Sequence, residues 1–294
     1  MAAPLASLVP DDAGLCFEVH HLSDHLREFR RSDLYGRLAA LPPLRAAVGG
    51  RIGQLRQLTT KLEKQLGVGT ETLWASVIGQ EVLLAVWPSA EPGGEGPALF
   101  LVRSPKPEML DEVFSYFVAE QRRAGKLEDE PAAIELPNQQ TRVAAIRAQG
   151  KRPTAYLAVC GNLGVVSTSS QLVEQVLRNE DAQAAAGSSL AALPAYRAAQ
   201  ASLEADAAVR IFLNPRPWQA QFEAGPRPRD AREALVRDTL LTTWKASEYL
   251  VASLSFDHEL RGEAYLKCDV KSLPEPSRSL VESIRGESTL AERI

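Results

Sequence analysis

Two apolar runs of strand length, Gln80-Glu81-Val82-Leu83-Leu84-Ala85-Val86-Trp87 and Ala98-Leu99-Phe100-Leu101-Val102-Arg103, flank a polar loop holding Pro92-Gly93-Gly94. Runs of this length on either side of Gly/Pro punctuation read as an antiparallel pair. The pattern returns near the C-terminus, from Trp244 through Val251-Ala252-Ser253-Leu254-Ser255-Phe256, a loop, and Glu263 to Cys268. A shift of 170 residues carries Trp74 onto Trp244 and sets Val82, Leu84 and Val86 on Ala252, Leu254 and Phe256. Strand side chains alternate, so each triplet is expected on one face of a sheet. Ser253 and Ser255 make the opposite face of the second copy the more polar one.

The segments around these hairpins repeat as well. The first strand, over Gly14 to His20, has its match one residue earlier, Ala13 to Val19 on Ala207 to Leu213, and the wider spacing there implies a helical insert in the first unit, around residues 41 to 65. Ser23 or Asp24 offers an N-cap for a helix carrying Leu26 and Phe29. Ile52, Leu55, Leu62 and Leu66 trace an amphipathic helix that Gly67 and Gly69 end. Ser104-Pro105-Lys106-Pro107 starts another, whose inner stripe is Leu110, Val113, Phe114 and Phe117. A meander follows, over Ala132 to Leu136, Arg142 to Ala148, Tyr156 to Cys160 and, after a Gly161-Asn162 turn, Leu163 to Ser167. Ser169 or Ser170 caps the next helix. From Ser189 the order begins again, and residues 226–246 read as a helix that turns Leu235, Leu240 and Leu241 inward. The expected fold is α+β, with two tandem related units at 1–187 and 188–294, each an antiparallel sheet with helices packed on one face. Trp74 and Trp244 read as core anchors. The segment Ser272 to Ile284 echoes Ser104 to Phe117 and no meander follows it, so the second unit reads as incomplete and the natural protein is expected to continue.

Several function classes lose support from the composition. A net charge of -4 provides no general attraction for nucleic acid or an anionic membrane. No apolar run approaches the ~18 residues that span a bilayer, and the first residues lack the basic and apolar regions of a signal peptide. Cys16, Cys160 and Cys268 share no CxxC spacing and sit in apolar contexts, as buried structural thiols do. Their odd number favours a reducing compartment, so a cytoplasmic location is expected, with an envelope location only if an anchor precedes Met1.

One cluster invites a chemical reading: His20-His21-Leu22-Ser23-Asp24-His25. His21 and His25 are four apart and could share a helix face, as zinc-binding histidines do, with Asp24 as a third ligand. The glutamate of an HExxH motif is absent, and polar residues at an exposed strand-to-helix junction are the simpler account. No Walker loop, GxSxG elbow or dinucleotide fingerprint is present, and no cofactor is implied; Gly93-Gly94-Glu95-Gly96 is a hairpin loop. Glu128-Asp129-Glu130 reads as a solvated loop, and Ser167-Thr168-Ser169-Ser170 as helix capping. The reading that follows is a non-catalytic binding or scaffold module that presents a sheet face or groove to a protein or apolar ligand. The alternatives are a metal-dependent hydrolase using His21 and His25, and an envelope-associated carrier of an apolar ligand.

The order of motifs resembles an uncharacterised bacterial family, domain-of-unknown-function family 3352. The resemblance rests on Val9-Pro10-Asp11-Asp12 before a Phe-Glu-Val strand and on Ser32-Asp33-Leu34-Tyr35-Gly36-Arg37-Leu38. Further matches are Ile78-Gly79-Gln80-Glu81-Val82, Gly164-Val165-Val166-Ser167, and Ser189-Leu190 through Pro194-Ala195-Tyr196. It spans residues 8 to 213, implies no known activity and carries over no catalytic residue. Many members carry an N-terminal membrane anchor, which has no counterpart in these first residues.

Overall fold

The computed structural model describes residues 3–32, 59–64, 66–91, 94–127, 141–147, 154–182, 188–225, 230–256, 260–273, 275, 278–279 and 282. The expected amphipathic helix around 52–66, the strand over 132–136 and the acidic run 128–130 fall wholly or mostly outside these residues. In chain order the strands are β1 (Leu15–His20), β2 (Glu81–Val86), β3 (Ala98–Arg103), β4 (Thr141–Ile146), β5 (Ala155–Cys160), β6 (Leu163–Ser167), β7 (Val209–Leu213), β8 (Ser247–Phe256) and β9 (Leu260–Cys268). The helices are α1 (Leu22–Arg31), α2 (Thr70–Ile78), α3 (Pro107–Arg123), α4 (Ser170–Asp181), α5 (Pro194–Ala201), α6 (Gln219–Glu223) and α7 (Ala231–Ala246). The protein is α+β, as its sequence implies.

All nine strands join one antiparallel sheet in the order β4-β5-β6-β3-β2-β1-β7-β8-β9. Strands from the two expected units are therefore hydrogen-bonded neighbours, through the β1–β7 pair. Outward from that pair, β1-β2-β3 and β7-β8-β9 follow the same order on either side. Phe17 stands opposite Leu84, and Ile211 opposite Ala252. Leu84 thus holds the sheet position of Ala252, two residues from the Leu254 that the 170-residue shift assigns to it. A slip of two keeps every side chain on the same face, and the β8–β9 ladder carries a register irregularity between Ser247 and Tyr249.

Residues directly opposite one another share a face, so the registers define rows that cross the whole sheet. One row is apolar throughout: Ala144, Leu157, Val166, Phe100, Leu84, Phe17, Ile211, Ala252, Ala264. A row on the other face changes character midway, from Val143, Ala158, Val165, Leu101 and Leu83 to Glu18, Arg210, Ser253 and Glu263. The polar second half matches what Ser253 and Ser255 imply in sequence.

Helices were expected on one face, yet they cover both. On the face of Phe17 and Leu84, α2 and α3 pack over Val82, Val102, Leu157 and Val159. On the opposite face, α4, α5 and the 3-10 turns at Leu5–Ser7 and Leu190–Ala192 close over Cys16, Leu83, Leu101 and Val165. The reason lies in the strands: Leu83-Leu84-Ala85 and Leu99-Phe100-Leu101 are apolar at successive positions, so both faces need cover.

Local signals account for several boundaries. Ser169 caps α4 by accepting from the Leu172 N–H at 3.4 Å, and Asp230 caps α7 by accepting from Glu233 N–H at 2.8 Å. Gly161, with φ +58°, makes the β5–β6 turn in a conformation that favours glycine. Two expectations are corrected. α1 begins at Leu22, ahead of Ser23 and Asp24, and its entry is made by His21, held at φ +49° with its N–H on Gln80 O at 2.8 Å. Leu235 and Leu240 do not face inward: they are 68% and 65% exposed, because α7 packs mainly on the short α6, the 3-10 turn at Val270–Ser272 and β8, not across the sheet face.

Among the described residues Arg103 is the largest side chain buried to near completion. Its guanidinium holds Glu180 of α4 by two parallel bonds, at 2.9 and 3.1 Å, and also reaches Asn162 Oδ1 at 3.2 Å and Ala3 O at 3.1 Å. It thereby ties one helix, one turn and the N-terminal segment to the end of β3. Truncating one partner of such a pair strands the other without water. We expect Arg103→Ala to lower unfolding free energy by about 3–5 kcal/mol in urea titration. An Arg103→Met, Glu180→Leu double variant should lose less than the single one.

Candidate functional site

Under α2 and α3 the apolar sheet face is only partly covered. Leu84 and Val166 belong to interior strands of the sheet, yet they are 37% and 38% exposed. A cleft of about 420 Å³ opens at Val166, with Val102, Leu157 and Gly164 also in its floor and Trp74, Leu110, Phe114 and Phe117 among its walls. This volume falls within the range of roughly 300–1,000 Å³ typical of small-molecule sites. Among its described lining residues none is charged. Gly164 keeps the floor low: a β-carbon there would lie 2.7 Å from Val102 Cγ1 and 3.2 Å from Leu110 Cδ1.

Trp74 was expected as a core anchor. It is exposed instead, and it lines both this cleft and a neighbouring one formed by Leu22, Ser23, Arg27, Thr70 and Glu71. Trp244 is half-buried, packed against Phe222 with ring centroids 4.5 Å apart and planes tilted by 53°, and its indole N–H is donated to Pro215 O at 2.9 Å. Neither tryptophan therefore belongs to the two sheet cores. The short α2 presents only Leu73 and Ser76 fully inward, which leaves Trp74 at the rim.

The opposite face carries a row of charges beneath the N-terminal turn. Glu18 is 2% exposed; its Oε1 accepts from Tyr196 Oη at 2.6 Å and Gln200 Nε2 at 3.3 Å. Gln200 in turn accepts from Arg210, the residue opposite Glu18 in the sheet, at 3.0 Å. His20 stands between two carboxylates, with Nε2 3.4 Å from Glu18 Oε2 and Nδ1 3.9 Å from Glu81 Oε1. Glu81 also accepts from the Leu5 N–H at 3.1 Å and lies opposite Arg103. Burial pushes the Glu81 carboxyl above its ordinary range, against the pull of the Leu5 N–H, His20 and Arg103. Burial and the Glu18 charge likewise push the Cys16 thiol and the Tyr196 phenol upward, which keeps both neutral donors to Glu18. None of the four clefts at Leu22–Gly79, on the apolar face, along α7 or beside Pro215 is lined by Glu18, His20 or Glu81. The row is a buried polar layer of the core, held mainly by neutral donors to Glu18 and Glu81.

The sequence cluster at 20–25 is divided by the fold. His20 points into the charged row, His21 is exposed at the junction, and the Asp24 carboxylate lies 3.4 Å from Arg27. His25 is half-buried and its backbone N–H bonds to His21 O at 3.2 Å. Among the described residues no three His, Cys, Asp or Glu side chains form a group able to hold a metal ion. Sequence reasoning missed Glu18, Glu81 and Arg103. Their signal was present, since each is a charge within or at the end of an otherwise apolar strand.

No protein-family model, curated protein or solved structure matches the chain. The resemblance to family 3352 therefore rests on its sequence motifs alone, and the functional reading on geometry. No described helix is long and apolar enough to cross a membrane.

The raised Glu81 carboxyl has a defined sign for stability. A carboxyl whose folded pKa exceeds its unfolded value contributes fully below the unfolded pKa, and that contribution is lost as pH rises through the folded one. The ionised Glu81 is thus a cost at neutral pH. Glu81→Gln, whose carbonyl can still accept from Leu5, should be more stable than wild type at pH 7, and the gap should close as pH falls to about 4.5. Urea midpoints measured across that interval check it.

Proposed function

We propose that this protein is a non-catalytic binding module that takes an apolar ligand in the cleft between the α2–α3 layer and the sheet. The observation that carries the reading is the open, uncharged floor formed by interior strands, where Val166 remains exposed. Leaving large apolar side chains accessible on the middle of a sheet costs free energy that a bound apolar molecule recovers, at roughly 25 cal/mol per Å² covered. The lining has no acid–base or nucleophile pair among its described residues, which favours capture over chemistry. A carrier role fits the concave, dry lining better than a protein scaffold, whose surface needs a polar rim. Three cysteines outside any disulfide fit a reducing compartment.

The test is titration with the neutral fluorophore N-phenyl-1-naphthylamine, read by its emission and by quenching of tryptophan emission. Saturable binding at one site per chain is expected. Gly164→Val, which pushes Val102 and Leu110 into the cleft, and Phe114→Ser, which makes its wall polar, should each weaken binding by about tenfold or more. Tenfold is about 1.4 kcal/mol, the scale of one or two buried methylenes. Unsaturable binding, or affinity unchanged in both variants, would sink the proposal.

A further inference from the structure

The sheet ends on one side at β9, whose outer edge pairs with no described strand. It is nine residues long, and Tyr265 and Leu266, on opposite faces, are 44% and 46% exposed. Proteins usually keep such an edge short, covered or bulged, because its free N–H and C=O groups recruit another strand. Here the sequence of the edge is complementary to itself. If two copies of β9 run antiparallel with Tyr265 facing Tyr265, then Glu263 of each copy faces Lys267 of the other. On the opposite face Ala264 meets Leu266. Arg261, which pairs with Glu204 at 2.7 Å, comes to face Asp269 just beyond the strand. Among the described residues neither Glu263 nor Lys267 is paired within its own chain.

The two adjacent registers that keep the faces matched are repulsive. Centring on Ala264 sets Arg261 against Lys267, and centring on Leu266 sets Glu263 against Asp269. Like charges directly opposite destabilise a strand pair, whereas opposite charges and aromatic pairs favour it. A two-fold axis through Tyr265 also meets the requirement of a closed symmetric dimer, that each patch be its own complement. We propose that β9 is a homodimerisation edge, and that two copies join through it, in the Tyr265-centred register, into one eighteen-stranded sheet.

Sedimentation velocity on the full chain tests this across the micromolar range. Wild type should dimerise, while Glu263→Lys and Lys267→Glu, each placing like charges opposite one another, should weaken association by at least about tenfold. Mixing these two variants should restore a dimer, since every charge then meets its opposite, and the double variant E263K/K267E should dimerise alone. The double variant decides the question should either single variant fold poorly by circular dichroism. A monomeric wild type, single variants that still dimerise, or a mixture and double variant that stay monomeric would each overturn the proposal. So would a dimer lost in Leu240→Glu, which would place the contact on α7.

Discussion

The antiparallel ladder between β1 and β7 holds this molecule together. Five residue pairs, Leu15 with Leu213 through Val19 with Val209, join two sets of strands that otherwise meet only through loops and helix packing. The centre of that ladder is unusual in composition. On one face Phe17 and Ile211 continue an apolar row, while on the other Glu18 faces Arg210. A buried carboxylate survives there because Tyr196 and Gln200, both on α5, donate to it directly. The same contacts fix α5 over the junction. Packing alone would allow the helix to slide along the sheet; hydrogen bonds to one buried oxygen do not.

The two faces of the sheet do different work. The face with Glu18, Glu81 and Arg103 is closed by α4, α5 and the N-terminal turn: Arg103 pairs with Glu180, while Glu18 and Glu81 accept from the Tyr196 hydroxyl and the Leu5 N–H. The face with Phe17 and Leu84 carries an apolar row from edge to edge, yet two helices with narrow stripes leave part of it open. Charge therefore secures the architecture on one side, and incomplete burial creates the recess on the other.

Much of this architecture was legible in the sequence, because it follows from periodicity and punctuation. β1, β2, β3, β5, β6 and β7 fall where apolar runs and Gly or Pro turns put them, and Ser169 caps the helix it was expected to cap. What was not legible required distance information. Nothing in Arg103 alone says that Glu180, 77 residues away, will meet it. Leu235 and Leu240 have helical spacing that suits an inner face, but a stripe does not say whether a second surface lies opposite. Trp74 illustrates the same limit, since position in a repeat does not determine depth. The cleft arises from how far α2 and α3 extend over the sheet, and that is a property of the assembled layers.

Because β1 ends at residue 20 and its partner β7 begins at residue 209, one edge of β1 has nothing to pair with while about 190 residues emerge from the ribosome. At translation rates of roughly 5–20 residues per second that interval lasts on the order of ten to forty seconds. A ladder closed at such sequence separation also folds slowly, for the loop entropy is lost before the contacts are gained. The nascent chain thus presents a free, largely apolar strand edge during its own synthesis, until β7 arrives.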